Sequence, residues 1–194
     1  YFLAAIFAGV IAPYGMAETV GDVWETSSRA FWLDTDQIGR DLLTRMIYGG
    51  QTTIFIATAA TILSFTTGSV LGFIAAVSGG WSDQVMSRLV DLFMSIPSLI
   101  LALVILSSIE ATVVTLIVIM GLLDSTRVYR LARAVGQNIV VMDYIEAAKL
   151  RGEGMVYLMF REILPNATAP LLAEFGLRFC FVFLTIAALS FLCV

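Results

Sequence analysis

Few side chains in this chain could carry covalent chemistry. It has no histidine and one lysine, Lys149. That excludes His-based catalytic dyads and H-E-x-x-H zinc sites, and no G-x-x-x-x-G-K-[ST] phosphate loop occurs. Cys180 and Cys193 both lie in the last apolar run, where they read as small core residues and not as a disulfide framework or metal site. No catalytic residue, metal ligand or cofactor is expected. What the spacing offers is a mechanical device. Glu146-Ala147-Ala148 favours helix, Gly152 frees the backbone for a turn, and Leu164-Pro165 places a residue that cannot continue a helix. The pattern reads as helix, break, helix, stop.

The flanking residues must position that device. Ile139, Met142, Ile145 and Ala148 recur at spacing three, which predicts one apolar stripe on one helix, with Asn138 as its N-cap. After Gly152 come Met155-Val156-Tyr157-Leu158-Met159-Phe160, a nonpolar run in an otherwise charged loop. Such a run either packs under its own bundle or meets a partner, and the residues alone favour self-packing.

Composition places the whole in a membrane. The chain is 59% hydrophobic and 13% charged, with a mean hydropathy of +0.94. No charge occurs from Met46 to Ser82 or from Leu92 to Ile109. A hydrocarbon core ~30 Å thick needs about 20 apolar residues as helix, so each run predicts a span. The first, Ile47 to about Val77, is rich in hydroxyls that could bond their own helix, bond a neighbour, or line a solute path. Gly68-x-x-x-Gly72 within it is a weak close-packing signal. The second, Leu92–Ser107, contains Pro97 and should be kinked there. Arg88 and Asp91 before it could pair on one helix face or be solvated separately. A hairpin at Ser108-Ile109-Glu110 then leads to a further span from Ala111, which must extend past Asp124. An acid at that depth must face protein or the interface.

Residues 13–45 hold six acids against three arginines and read as an aqueous loop. Seven of the 11 Lys and Arg residues lie between Arg127 and Arg178, so the positive-inside rule makes that stretch cytoplasmic. Counting spans backward puts residues 13–45 outside and the Gly79–Asp83 turn inside. Phe179 onward would form the last span. Residues 1–12 would be the tail of a first span, and 46–194 the membrane domain. The chain thus reads as an all-α transmembrane bundle, about five of six spans of a longer protein.

The loop pattern resembles the EAA loop of membrane subunits of bacterial ATP-binding-cassette (ABC) importers. Other stretches resemble the dipeptide, oligopeptide and nickel branch of that family. Trp32-Leu33-Asp34-Thr35-Asp36-Gln37-Ile38-Gly39-Arg40-Asp41 is similar to its W-L-G-T-D-x-x-G-R-D element, with Asp34 in place of glycine. Arg88-Leu89-Val90-Asp91 with Pro97, Ile163-Leu164-Pro165-Asn166 and Leu189-Ser190-Phe191-Leu192 match further elements in order. The resemblance reverses the preference for self-packing. It implies a type I importer fold and a multi-pass permease half in the bacterial inner membrane. It also implies a coupling loop at about 137–166 carrying Glu146, Ala147, Ala148, Gly152, Leu164 and Pro165. The implied cargo is peptide, with nickel and related solutes open. The implied partners are a homologous second permease subunit, two ATPase subunits, an external solute-binding protein and membrane lipid. No nucleic acid is expected, and ATP would be hydrolysed on other chains. An ion-driven secondary transporter or channel is the alternative. It would bury several ionisable groups at mid-membrane, which the two charge-free runs lack.

Overall fold

A computed structural model describes residues 2–26, 32–109 and 112–192. Glu110 of the expected hairpin and Cys193 lie outside the described residues. Among the described residues there is no strand, only two isolated antiparallel bridges, Thr19–Arg40 and Thr35–Asp41. The chain divides into two compact units, Tyr1–Ile56 and Ala57–Val194.

The first unit opens with two short helices, α1 (Phe2–Ile6) and α2 (Ala8–Ile11). Its loop is organised by Asp36. That carboxylate accepts the backbone N–H groups of Ile38 (2.8 Å) and Arg40 (3.0 Å) and the guanidiniums of Arg40 (3.0 Å) and Arg45 (2.6 Å). The backbone N–H of Arg40 is the main cause that holds Asp36 well below the usual carboxylate range, against the opposing effect of burial. At Gly39 (φ +75°) a Cβ would lie 2.2 Å from the Gly21 carbonyl oxygen, so only glycine fits. Asp34 takes φ +70°, a left-handed conformation. That explains why glycine suits this position in the resembled element. Asp41 closes the loop by capping the next helix, accepting from the Thr44 N–H (2.8 Å) and hydroxyl (2.6 Å).

That helix, α3 (Leu42–Ser78), has 37 residues and is about 55 Å long, more than a bilayer core requires. Its hydroxyls mostly return to their own backbone: Thr61 to Ala57 (2.7 Å), Thr66 to Ile62 (2.9 Å) and Thr67 to Leu63 (2.7 Å). In the second unit α3 crosses α6 (Val113–Val140) along a seam of small residues. A Cβ on Gly68 would lie 2.7 Å from the Ser125 carbonyl oxygen, and one on Gly72 would lie 2.7 Å from the Ala132 Cβ. The Gly-x-x-x-Gly spacing is thus a real close approach, stronger than its sequence signal.

Between them the expected Leu92–Ser107 span is not one kinked helix. It is broken into α4 (Gly80–Met94) and α5 (Ser98–Ser108), which meet at 78°. Pro97 lacks the N–H to continue α4, and its ring disfavours helix at Ile96. The candidate Arg88–Asp91 pair does not form. Asp91 instead meets Arg130 of α6 at 3.3 Å, since α6 supplies a cation facing it.

Helix α6 runs straight through Asn138, which is therefore not an N-cap. The chain breaks only at Val141-Met142, before α7 (Asp143–Leu150). The expected single stripe is split accordingly: Ile139 belongs to α6, and Met142 is exposed in the break. Beyond α7 a short helix α8 (Met155–Tyr157) runs through a π-helical turn (Leu158–Ile163) into α9 (Leu164–Leu192). Pro165 does not stop the helix. It occupies the first turn of α9, where the wider π turn relieves the clash between its ring and the preceding carbonyl.

Two helices are long and apolar enough to cross a membrane among the described residues, Leu42–Ser78 and Met155–Leu192, or three if the bent pair is one span. The last begins well before Phe179 and so includes Glu174 and Arg178. Helix α6 carries Asp124, Arg127 and Arg130 in its first 18 residues and falls outside that count. Its acid is satisfied by protein. Ser64 donates to Asp124 (3.1 Å), the Arg127 and Arg178 guanidiniums lie 3.9 Å away, and Arg178 also pairs with Glu174 (2.5 Å). Two acids face two arginines, as the cost of burying an unmatched charge demands.

Candidate functional site

The loop pattern singled out by sequence folds into α7 and its exit. Met142 precedes α7 in extended conformation and offers no side-chain cap. Asp143 and Glu146 in the first turn and Lys149 in the last suit the helix dipole. The inner face is fixed: Ile145 and Ala148 are fully buried in a cluster with Ile139, Leu158, Met159 and Ile163. The outer face, with Glu146 and Ala147, is exposed, and so is Leu150 (83%).

Gly152 ends the helix with φ +83°. Its N–H donates to the Lys149 carbonyl (2.9 Å), and the Glu153 N–H donates to the Ala148 carbonyl (3.2 Å). This pair of bonds satisfies carbonyls that a helix end would leave bare. A Cβ on Gly152 would meet nothing within 4 Å, so glycine serves conformation here and not space.

The six site residues therefore divide. Glu146, Ala147, Gly152 and Pro165 face outward, whereas Ala148 is buried and Leu164 half-buried. Of the alanine pair only Ala147 can offer a partner close approach; Ala148 lets α7 lie tightly on its own bundle. The nonpolar run after Gly154 is split likewise. Leu158 and Met159 are buried, while Met155, Val156 and Phe160 remain exposed. Self-packing thus holds for Leu158 and Met159. Behind the π turn an apolar cavity of about 290 Å³ is lined by Phe65, Phe73, Met159, Phe160, Leu164 and Leu171.

One set of interactions was not apparent from sequence. Asp83 at the start of α4 receives the guanidinium of Arg133 (Nη2–Oδ2 2.5 Å) and the Gln137 amide (3.2 Å), and Ser87 bonds the Tyr129 hydroxyl (3.0 Å). The four-residue spacing of Asp83, Ser87 and Asp91 was the available signal.

The arrangement can present a short helix, anchored from within, as a surface. No group of three or more His, Cys, Asp or Glu side chains suited to a metal occurs among the described residues. A sequence model of the binding-protein-dependent transport system inner membrane component family matches residues 68–194, which include α7, its glycine cap and α9. The chain belongs to that family. As a binding-protein-dependent inner-membrane component it is a membrane-embedded helical bundle of the bacterial inner membrane. It is 34% identical to a dipeptide transport system permease protein, DppC, of Haemophilus influenzae, over 98% of this chain and 67% of that protein. To DppC of Escherichia coli it is 36% identical over 97% of this chain and 65% of that protein. To a di/tripeptide transport system permease protein of Pseudomonas aeruginosa the figures are 33%, 97% and 64%. The chain spans about two thirds of the length of these relatives.

Proposed function

We propose that this chain forms half of the translocation path of an ATP-driven peptide importer and carries the loop through which ATP hydrolysis on partner chains moves it. The observation that carries this reading is α7: its inner face is locked to α6 and the π turn, while Glu146, Ala147 and Leu150 are offered outward. A push on that face would pass to α6 and α9 as a rigid lever. A homologous second half, two ATPase subunits and an external binding protein complete the machine, with residues 13–45 outside and 137–166 in the cytoplasm. Peptide is the cargo because the relatives matched over nearly the whole chain are named for dipeptide and di/tripeptide transport. The ion-driven alternative gains nothing from the buried charges, since Asp124 and Glu174 are matched by Arg127 and Arg178.

The test is made in the intact transporter. Gly152→Val forces a β-branched residue to φ +83°, at a cost of about 1–2 kcal/mol, or roughly five- to thirtyfold in the population of the docking conformation. Glu146→Ala removes an exposed polar contact. Both variants should insert at parental levels yet lose transport, by weaker ATPase association or by ATP hydrolysis without uptake. Parental transport by both, with the ATPase stably bound, would sink the docking assignment.

A further inference from the structure

Helix α4 has two faces, and only one is used by the fold. Its polar face is pinned to α6 through Asp83–Arg133, Ser87–Tyr129 and Asp91–Arg130. On the other face Trp81 (82% exposed), Val85, Leu89 and Leu92 (66% exposed) recur at helical spacing. With Gln84 and Arg88 they line a groove of about 280 Å³.

Charge identifies what the groove suits. Asp83 and Asp91 are already met by Arg133 and Arg130, which leaves the exposed Arg88. Among the described residues the Arg88 side chain has no hydrogen-bond or ion-pair partner. The groove thus joins one unmatched guanidinium and one amide to an apolar stripe, with a tryptophan at its end. A second permease half laid on this face would have to bury that guanidinium, or supply an acid to meet it. An anionic lipid supplies that acid in its own headgroup and sets its acyl chain against the apolar stripe. The helix itself is amphipathic, bears Trp at one end and departs at 78° from α5, the geometry of a segment lying along the membrane interface.

We propose that the α4 groove binds an anionic phospholipid. The phosphate sits at Arg88 and Gln84, Trp81 lies at headgroup level, and an acyl chain runs along Val85, Leu89 and Leu92. The proposal uses the membrane placement of the family and is independent of the α7 docking reading.

Brominated lipids test it by contact quenching of Trp81 in the intact transport complex, purified through a tag on this chain into nanodiscs. The fluorescence lost with Trp81→Phe defines the Trp81 component. That component should be quenched roughly fivefold more efficiently by brominated phosphatidylglycerol than by brominated phosphatidylcholine at equal mole fraction, the scale of one Lys or Arg at an anionic surface. Arg88→Lys should keep the preference, and Arg88→Gln should reduce the ratio to about one while quenching by both lipids persists. Arg88 is exposed and unpaired, so these variants should fold. Absence of quenching by either lipid would show protein, such as a second permease half, covering the groove and would overturn the proposal. Equal quenching by both lipids in the parent, or a preference that survives Arg88→Gln, would overturn it as well.

Discussion

Replacing Gly72 by alanine tests the α3–α6 crossing directly. The added Cβ would lie 2.7 Å from the Ala132 Cβ, 2.8 Å from the Tyr129 carbonyl oxygen and 2.9 Å from the Arg133 nitrogen. Two of those three atoms are backbone, so no side chain can swing aside. Separation of the helices is the remaining response, at the overpacking cost of about 1–3 kcal/mol. Gly50 on the same helix is the internal control, because a Cβ there meets nothing within 4 Å. Alanine at that open helical position should stabilise by about 0.5–1 kcal/mol. The two variants should therefore separate by about 1.5–4 kcal/mol, or about 3–16 °C in thermal midpoint for a chain of this size. Detergent-solubilised protein followed by the temperature dependence of monodisperse elution would read this. If Gly72→Ala melts at or above Gly50→Ala, the helices do not cross where they are described.

Three further outcomes follow from the geometry. Because the folded Asp36 carboxylate titrates below its unfolded value, its contribution to the loop is complete above the ordinary carboxylate range and is lost only as pH falls below it. Hydrogen exchange of the Ile38 and Arg40 amides should thus stay slow from neutral pH down to about pH 4, and Asp36→Asn should accelerate it throughout. Asp34→Gly relieves a left-handed conformation and should stabilise the loop by about 1 kcal/mol, read as a raised thermal midpoint; a lowered one would contradict the φ of +70°. Asp83→Asn weakens the link to Arg133 by about 2 kcal/mol and should expose α4 to trypsin at Arg88 roughly thirtyfold faster; an unchanged cleavage rate would mean that α4 is held by other contacts.

Local chemistry was legible wherever one segment contains both the cause and the effect. The charge-free run from Met46 to Ser82 dictates a long helix, and α3 covers most of it. Gly152 four residues past Ala148 dictates a break, and the backbone there turns through positive φ. Asp124 in an apolar stretch had to face protein or the interface, and it meets protein. Local rules failed where a neighbour outvoted them. Asn138 is a good cap, but α6 passes through it because buried Ile139 continues the face toward the core. Pro165 is a good helix stop, but the π turn before it gives its ring room.

By itself, then, the sequence determined that the chain is helical, that it enters a membrane, and that α7 ends at Gly152. Those outcomes depend on backbone hydrogen bonding, hydropathy and a missing Cβ, all encoded within a few turns of chain. Tertiary structure alone decided which partner each buried charge meets and which alanine faces inward. It also decided that Gly68 and Gly72 are the points of closest approach. Several of these choices rest on contacts between residues some 40–60 positions apart, as with Ser64 and Asp124 or Asp83 and Arg133. No local pattern specifies those contacts, because each charged or small residue has several competitors at similar spacing, and only the packed bundle selects among them.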